Sequence, residues 1–563
     1  MKKKNIFRRQ ICLLLLCCFF LFSLPAQERT VGLLQYEAET SEGYTLFRPL
    51  FTGNTFLIDN CGRVVNEWES DWAFGTSVYL REDGALLRPS LSAPGVNPVF
   101  QVGGVMDRVE LVDWDGTVLW DFVYSDSMRM LHHDVEPMPN GNILILAWDL
   151  RTYEEAIAAG RRTDLLPDSV IFSEHIIEVD PSTDSIVWEW YLWDHLVQDY
   201  DTSKANYGEV GRHPERLDIN FTAGPTADGG DDWLHLNSID YNPDRDEIMI
   251  NSAFLGEFYV IDHSTTTEEA AGSSGGQWNS GGDFLYRWGN PQVYDQGTPE
   301  DQQLFFAHDA HWIPIDLPGG GNIMVFNNGN ADRPYSSVDI LEPPVDSYLS
   351  GSYVYVPNNP FLPRRPAYTY TTDPPEEFFS SFISGAQRLP SGNTLICSGA
   401  QGRIFEINPE EEIVWEYINP EINTGPLAYD VDEIPIANGR NANVVFRTTR
   451  YPVDYPGLAG RDLTPGDPIE TGFPEPYDCQ LLTGVELVAP ADLRIYPVPA
   501  REELIIESAE LDGRQLRLFD ALGRLLLSQR MQGAQWRLDV SGWAPGVYFL
   551  QGELGWGMRI VVH

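Results

Sequence analysis

Residues 109–122 read VELVDWDGTVLWDF. A run of alternating apolar residues ends in an acidic one, a Gly-containing turn follows, and the next run carries a tryptophan before another acid. Alternation with a period of two, broken by a tight turn, is the pattern of a β-hairpin. The same unit returns as IIEVDPSTDSIVWEW (176–190) and IFEINPEEEIVWEY (404–417), and in degenerate form as FLIDNCGRVVNEW (56–68). Between these copies sit turn-plus-strand units, MPNGNILIL (138–146), LPGGGNIMVF (317–326) and LPSGNTLIC (389–397). A supersecondary unit repeating over several tens of residues cannot bury its apolar face alone and must stack on its neighbours. Strand-only repeats of this kind predict an all-β chain, a six-bladed β-propeller over residues 42–450. The tryptophan of each unit is expected to pack between blades. One short helical pattern, TYEEAIAAGRR (152–162), interrupts the strands.

Working outward, a short N-terminal segment (27–41) precedes the propeller. Residues 451–490 are rich in Pro, Gly and Asp and read as a closing strap and linker. From 491 to 563 the texture changes to short alternating strands, which predicts a small C-terminal β-sandwich. At the other end, MKKKNIFRRQ is basic, ICLLLLCCFFLFSL is apolar, and a small-residue site precedes Gln27. That is a secretory signal peptide over residues 1–26, too short for a membrane span. Leucines before Cys17 and Cys18 argue against a lipoprotein. Beyond this leader only Cys61, Cys397 and Cys479 remain. An odd, widely spaced set predicts buried free thiols and neither a disulfide framework nor a zinc site.

The chain carries 83 acidic against 37 basic residues, a formal net charge of −46. Beyond the leader its single lysine is Lys204. Such a surface repels nucleic acid and anionic membranes, which excludes both as partners, and it keeps the chain strongly hydrated.

The C-terminal segment resembles the type A sorting domain of the type IX secretion system, through Tyr496-Pro497-Val498-Pro499, LFDALGRLL and LDVSGWAPGVYFL. That resemblance implies export through the periplasm to the cell surface or medium, with the type IX machinery as partner. The repeat region resembles the arylsulfotransferase family. The blocks that carry this are LHHDVEPMPNGNILILAW (131–148), DDWLHLNSIDYNPDRDEIMINS (231–252), AHDAHWIPIDLPGGGNIMVFNNG (307–329), SGAQRLPSGNTLICSGAQGRIFEI (384–407) and VVFRTTRYPVDYPGLAGRDL (444–463). The resemblance implies sulfuryl transfer from a phenolic ester to a phenol through a sulfohistidine, without a nucleotide donor or other cofactor. A chain with no Walker loop agrees with this.

Sulfuryl transfer needs a nucleophile, donors around the sulfuryl oxygens and an acid for the leaving phenolate. By the resemblance, His235 and His308 take two active-site histidine positions as catalytic residues, and Arg333 takes the sulfate-binding arginine. His133 is a further channel candidate for substrate binding, with His132 facing away. The family's late-blade nucleophile has no counterpart: no histidine lies between His311 and His563, and FFSSFISGAQRL (378–389) fills the expected place. Either His308 or His235 then attacks sulfur, or the chain is a non-catalytic surface propeller that binds a glycan or aryl ligand. On a regular strand, His308 shares a face with Ala310, and Asp309 with His311, so the two histidines would not chelate together. His311 is expected to pack near Trp312. The acidic group Asp228, Asp231 and Asp232 lacks EF-hand spacing, and no metal is expected. His175, His195, His213 and His263 stand outside the matching blocks. The short segment before the first blade predicts a monomer.

Overall fold

A computed structural model describes residues 29–473 apart from positions 73, 346, 349, 350 and 438, together with Cys479 and most of 493–562. The expected leader and most of the linker's end lie outside the described residues. Six antiparallel sheets of four or five strands follow one another from Gly32 to Tyr451 among the described residues. From the second sheet to the sixth, the main strands step outward in chain order. The innermost strands of the second to sixth sheets are Tyr79–Leu80, Arg129–Pro137, Leu236–Asn242, His308–Trp312 and Gly385–Arg388. A further short strand, Val105–Met106, pairs inside Arg129–Pro137.

The first sheet is assembled from both ends of the repeat region. Val445–Tyr451 supplies its innermost strand and pairs with Tyr44–Pro49, so residues 400 apart in sequence lock the ring. Gly32–Tyr36 adds an outer strand to the sixth sheet. Apolar clusters fill each junction. Leu46, Trp68, Leu86 and Val112 join the first and second sheets, and Leu87, Val109, Leu131 and Ile145 the second and third. The largest cluster spans the third to fifth sheets. Ile313, Phe326, Ala386 and Phe405 join the fifth and sixth, and Phe47, Leu395, Trp415 and Val445 return to the first.

The repeated tryptophan does more than pack. The last strand of each sheet's own run sends a ring donor into the connection between the last two strands of the next sheet. The indole N–H of Trp68 donates to the Asp113 carbonyl, that of Trp120 to the Asp184 carboxylate, and that of Trp188 to the Thr265 hydroxyl. Trp288 donates to the Pro363 carbonyl, the Tyr368 hydroxyl to the Glu411 carboxylate, and Trp415 to the Asn60 carbonyl. These six bonds run once around the ring. The short predicted helix forms as Tyr153–Ala158, closed at its start by a reciprocal Thr152–Glu155 capping box.

Against the expectation of free thiols, Cys61 and Cys479 form a disulfide across 418 residues, and among the described residues Cys397 alone is free and buried. An odd count hides a single pair when the third thiol is buried as an apolar side chain. The C-terminal segment forms two small sheets, one built on Arg494–Tyr496, Glu503–Glu507 and Gln535–Asp539. The other contains Gln515–Phe519, Leu525–Arg530, Gly546–Gly552 and Gly557–Val562. Leu504, Ile506, Leu516, Leu518, Leu550 and Ile560 pack between them.

Candidate active site

The innermost strands do not run as regular β-strands where they reach the middle of the ring. The pairing register shifts between Leu131 and Val135, between Leu236 and Ser238, and between His308 and His311. Left-handed backbone accompanies these bulges at His133 (φ 53°), His235 (φ 53°) and Asp309 (φ 57°), and recurs at Ile383 and Ser384. Such conformations cost about 1–3 kcal/mol each and gather where a side chain has to be aimed.

The bulges bring His133 and His235 together. Their Nε2 atoms lie 3.2 Å apart and the rings meet edge to face. His235 Nδ1 is 2.6 Å from an oxygen of Asp232, three residues earlier. A carboxylate accepts only, so Nδ1 carries a hydrogen, and in the neutral ring Nε2 holds the lone pair toward His133. Burial opposes charging His235, but the Asp232 carboxylate outweighs it and raises the imidazole pKa above its ordinary value. His133 goes the other way. Burial, then the neighbouring His235 and His132, holds it well below the usual range, so it is neutral. Its Nδ1 lies 3.0 Å from Nδ1 of His132, which stacks on Trp148.

A cavity of about 330 Å³ adjoins this pair. Phe51, Phe74, Phe100, Val102 and Met130 line it, and Gly103 and Gly104 form the wall against the histidines. A Cβ on Gly104 would fall 2.1 Å from the His133 ring, and one on Gly103 would lie 3.5 Å from His235 Cε1. The wall therefore approaches the imidazoles as closely as it does only because it has no side chains. Arg440 also lines the cavity, its guanidinium 4.2 Å over the Phe382 ring. It is exposed and forms no ion pair among the described residues.

His308 is near this pair but not joined to it. Its Nδ1 lies 2.8 Å from the Asn328 side-chain oxygen, and its Nε2 accepts the Ile383 backbone N–H at 3.2 Å. Both ring nitrogens are engaged, and burial pushes its pKa down to about 3. Arg333 is held by its own loop. It donates to the Tyr335 carbonyl and the Ser337 hydroxyl, and its guanidinium lies 3.9 Å over the Tyr335 ring. The N–H groups of Met138, Ile313 and Leu389 close equivalent hairpins, and counting back from each leads to His133, His308 and Ser384. Ser384 thus occupies the sixth-sheet place where a histidine was sought. Its hydroxyl bonds Ser380 Oγ and the Gly399 N–H.

The sequence reading missed the layer beneath. Arg447, on the closing strand, reaches Asp134 at 3.0 Å and Asp309 at 3.0 Å, and donates to the Tyr79 hydroxyl at 2.8 Å. Burial works against its charge, yet Asp134 and Asp309 hold it well above the ordinary range. Arg447 stood inside a matching block, but a single arginine among three gave no sign that it would reach the axis. His311 differs from expectation as well. The bulge at Asp309 cancels simple alternation, so His311 sits 3.6 Å from the Asp309 carboxylate instead of merely packing on Trp312. Asp240 faces the same place, its pKa pushed up to about 6 by burial.

The family model for arylsulfotransferases matches residues 35–427, and that for a secretion system C-terminal sorting domain matches residues 494–556. The sorting domain marks the protein for type IX secretion and the cell surface. No curated protein matches the chain. Among solved structures, a protein of unknown function from Bacteroides caccae is 11% identical, with 73% of this chain and 99% of that chain covered at a TM-score of 0.38. Virginiamycin B lyase from Staphylococcus aureus is 9% identical, covering 69% and 89% at 0.31. The Dos1 propeller is 13% identical, covering 71% and 90% at 0.30.

Proposed function

The chain belongs to the arylsulfotransferase family, and on that premise we propose that it moves a sulfuryl group from an aryl sulfate to a phenol through a sulfohistidine on His235. The observation that carries this is the Asp232–His235 dyad, whose remaining ring nitrogen faces His133 beside an apolar cavity. The dyad fixes the tautomer in which Nε2 is the nucleophile. The apolar cavity, lined by Phe51, Phe74 and Phe100, suits an aromatic ring. Arg440 at its edge supplies an unpaired cation for sulfuryl oxygens in a protein otherwise dominated by carboxylates.

In the first half-reaction the His235–His133 contact opens and Nε2 of His235 attacks sulfur. The S–O bond to the phenol breaks, and the Nε2–H of His133, released from His235, protonates the departing oxygen. In the second half, an acceptor phenol returns its proton to His133 and takes the sulfuryl group. Asp232 remains ionised throughout and stabilises the positive charge on the sulfurylated ring. His308, with both nitrogens engaged, positions the 380–384 segment that bounds the site.

The competing reading, a surface propeller that only binds an aryl or glycan ligand, draws on one observation: Ser384 stands where the sixth sheet would supply a histidine. Turnover separates the two. With a chromogenic aryl sulfate and a phenol, the protein is expected to release the donor's phenol at a rate that depends on acceptor. A folded protein that gives no transfer across pH and salt overturns the enzymatic reading.

A further inference from the structure

Behind the His235–His133 pair the polar contacts continue inward. His133 Nδ1 meets His132 Nδ1 at 3.0 Å, and His132 Nε2 lies 3.0 Å from Glu174 Oε2. The side chains of His132 and Glu174 have no exposure at all. Three imidazoles therefore stand in a row between two carboxylates, Asp232 and Glu174. Asp232 and Glu174 can both only accept, so His235 Nδ1 carries a hydrogen at one end and His132 Nε2 carries one at the other. The four contacts of the row therefore need four hydrogens, while three neutral imidazoles own three. With only three, one contact of the row would set a bare lone pair against another acceptor in a site sealed from water. That arrangement is strongly repulsive unless one more proton is present.

We propose that the Asp232–His235–His133–His132–Glu174 row is a proton relay that stores one excess proton between its two carboxylates. This rests on the reaction proposed above and deepens it. When His133 gives its Nε2 proton to the departing phenolate, it takes the Nδ1 proton of His132. His132 keeps its Nε2–H toward Glu174, and the row has given up its excess proton. The acceptor phenol's proton reverses both transfers in the second half, so no proton crosses to solvent. The ionisable groups facing the row are Asp232, Glu174 and His308, and the indole of Trp148 covers His132.

Glu174→Gln keeps the size of the side chain and removes one of the two charges that hold the stored proton. With a donor whose phenolate leaves readily, such as a nitrophenyl sulfate, the variant should stay within about threefold of the parent. With an unactivated phenyl sulfate it should fall by about 100-fold or more, the range general-acid catalysis supplies. Equal losses on both donors in a folded variant would overturn the relay. Nitrogen NMR of the resting, histidine-labelled protein gives a reading independent of turnover. One doubly protonated imidazole of the row is expected at neutral pH, and its absence in Glu174→Gln. If all three are neutral in the parent, the relay is wrong. If the imidazolium is found but no sulfuryl transfer occurs, the reaction is wrong and the stored proton stands.

Discussion

Asp232 decides how His235 behaves, because it fixes the proton on Nδ1 and raises the ring's pKa against burial. Attack needs an unprotonated Nε2, so activity should rise as pH passes the raised His235 value. In Asp232→Asn the carboxylate's contribution is gone, and the acid limb should move to lower pH. The tautomer is then no longer dictated, and the rate should fall by about 100-fold or more while the circular dichroism spectrum is kept. A pH–rate profile of the two proteins checks both effects. Both histidines of this pair were legible in the sequence because they stand in long matching blocks. Their contact was not, since 102 residues separate them and only the ring geometry brings them together. Asp232 was visible only as part of an acidic cluster, where its partner His235 went unremarked.

At the scale of elements, the bulged strand ends and the 103–104 wall do the aiming. Gly104 has φ 76°, and any side chain there would strike the His133 ring. Gly104→Ala is therefore expected to displace His133 or the wall, lowering transfer by at least about tenfold. The strained backbone should also cost about 1 kcal/mol or more of stability. Kinetics and thermal unfolding on the same sample measure the two. Alternation along a strand was a sound guide to the outer strands and failed at His308–His311. A residue in left-handed conformation at Asp309 inserts an extra position, and nothing in AHDAHW announces it. The same irregularity carries Asp309 to Arg447, which is why the charged layer under the histidines escaped the sequence reading.

Across the whole molecule, closure rests on the pairing of Val445–Tyr451 with Tyr44–Pro49 and on the cycle of six ring donors. Trp415→Phe keeps most of the apolar volume but leaves the buried Asn60 carbonyl without its donor. It should lower stability by about 1–3 kcal/mol, read by denaturant unfolding. The repeating tryptophan was legible because its spacing from the acidic turn recurs. Its reach into the following sheet was not, because a sequence repeat gives the unit and not the neighbour that receives it. The Cys61–Cys479 bond adds a covalent tie between the first sheet and the chain beyond the propeller. It agrees with export, where such bonds persist.

One imidazole, that of His235, is expected to carry the sulfuryl group between donor and acceptor. Incubation with an aryl sulfate donor in the absence of acceptor, followed by rapid quenching and peptide mapping by mass spectrometry, tests this most directly. The expected result is a single sulfuryl adduct on His235 that disappears when a phenol is added. An adduct on His308 or His133, or acceptor-dependent transfer with no adduct on any histidine, would contradict it.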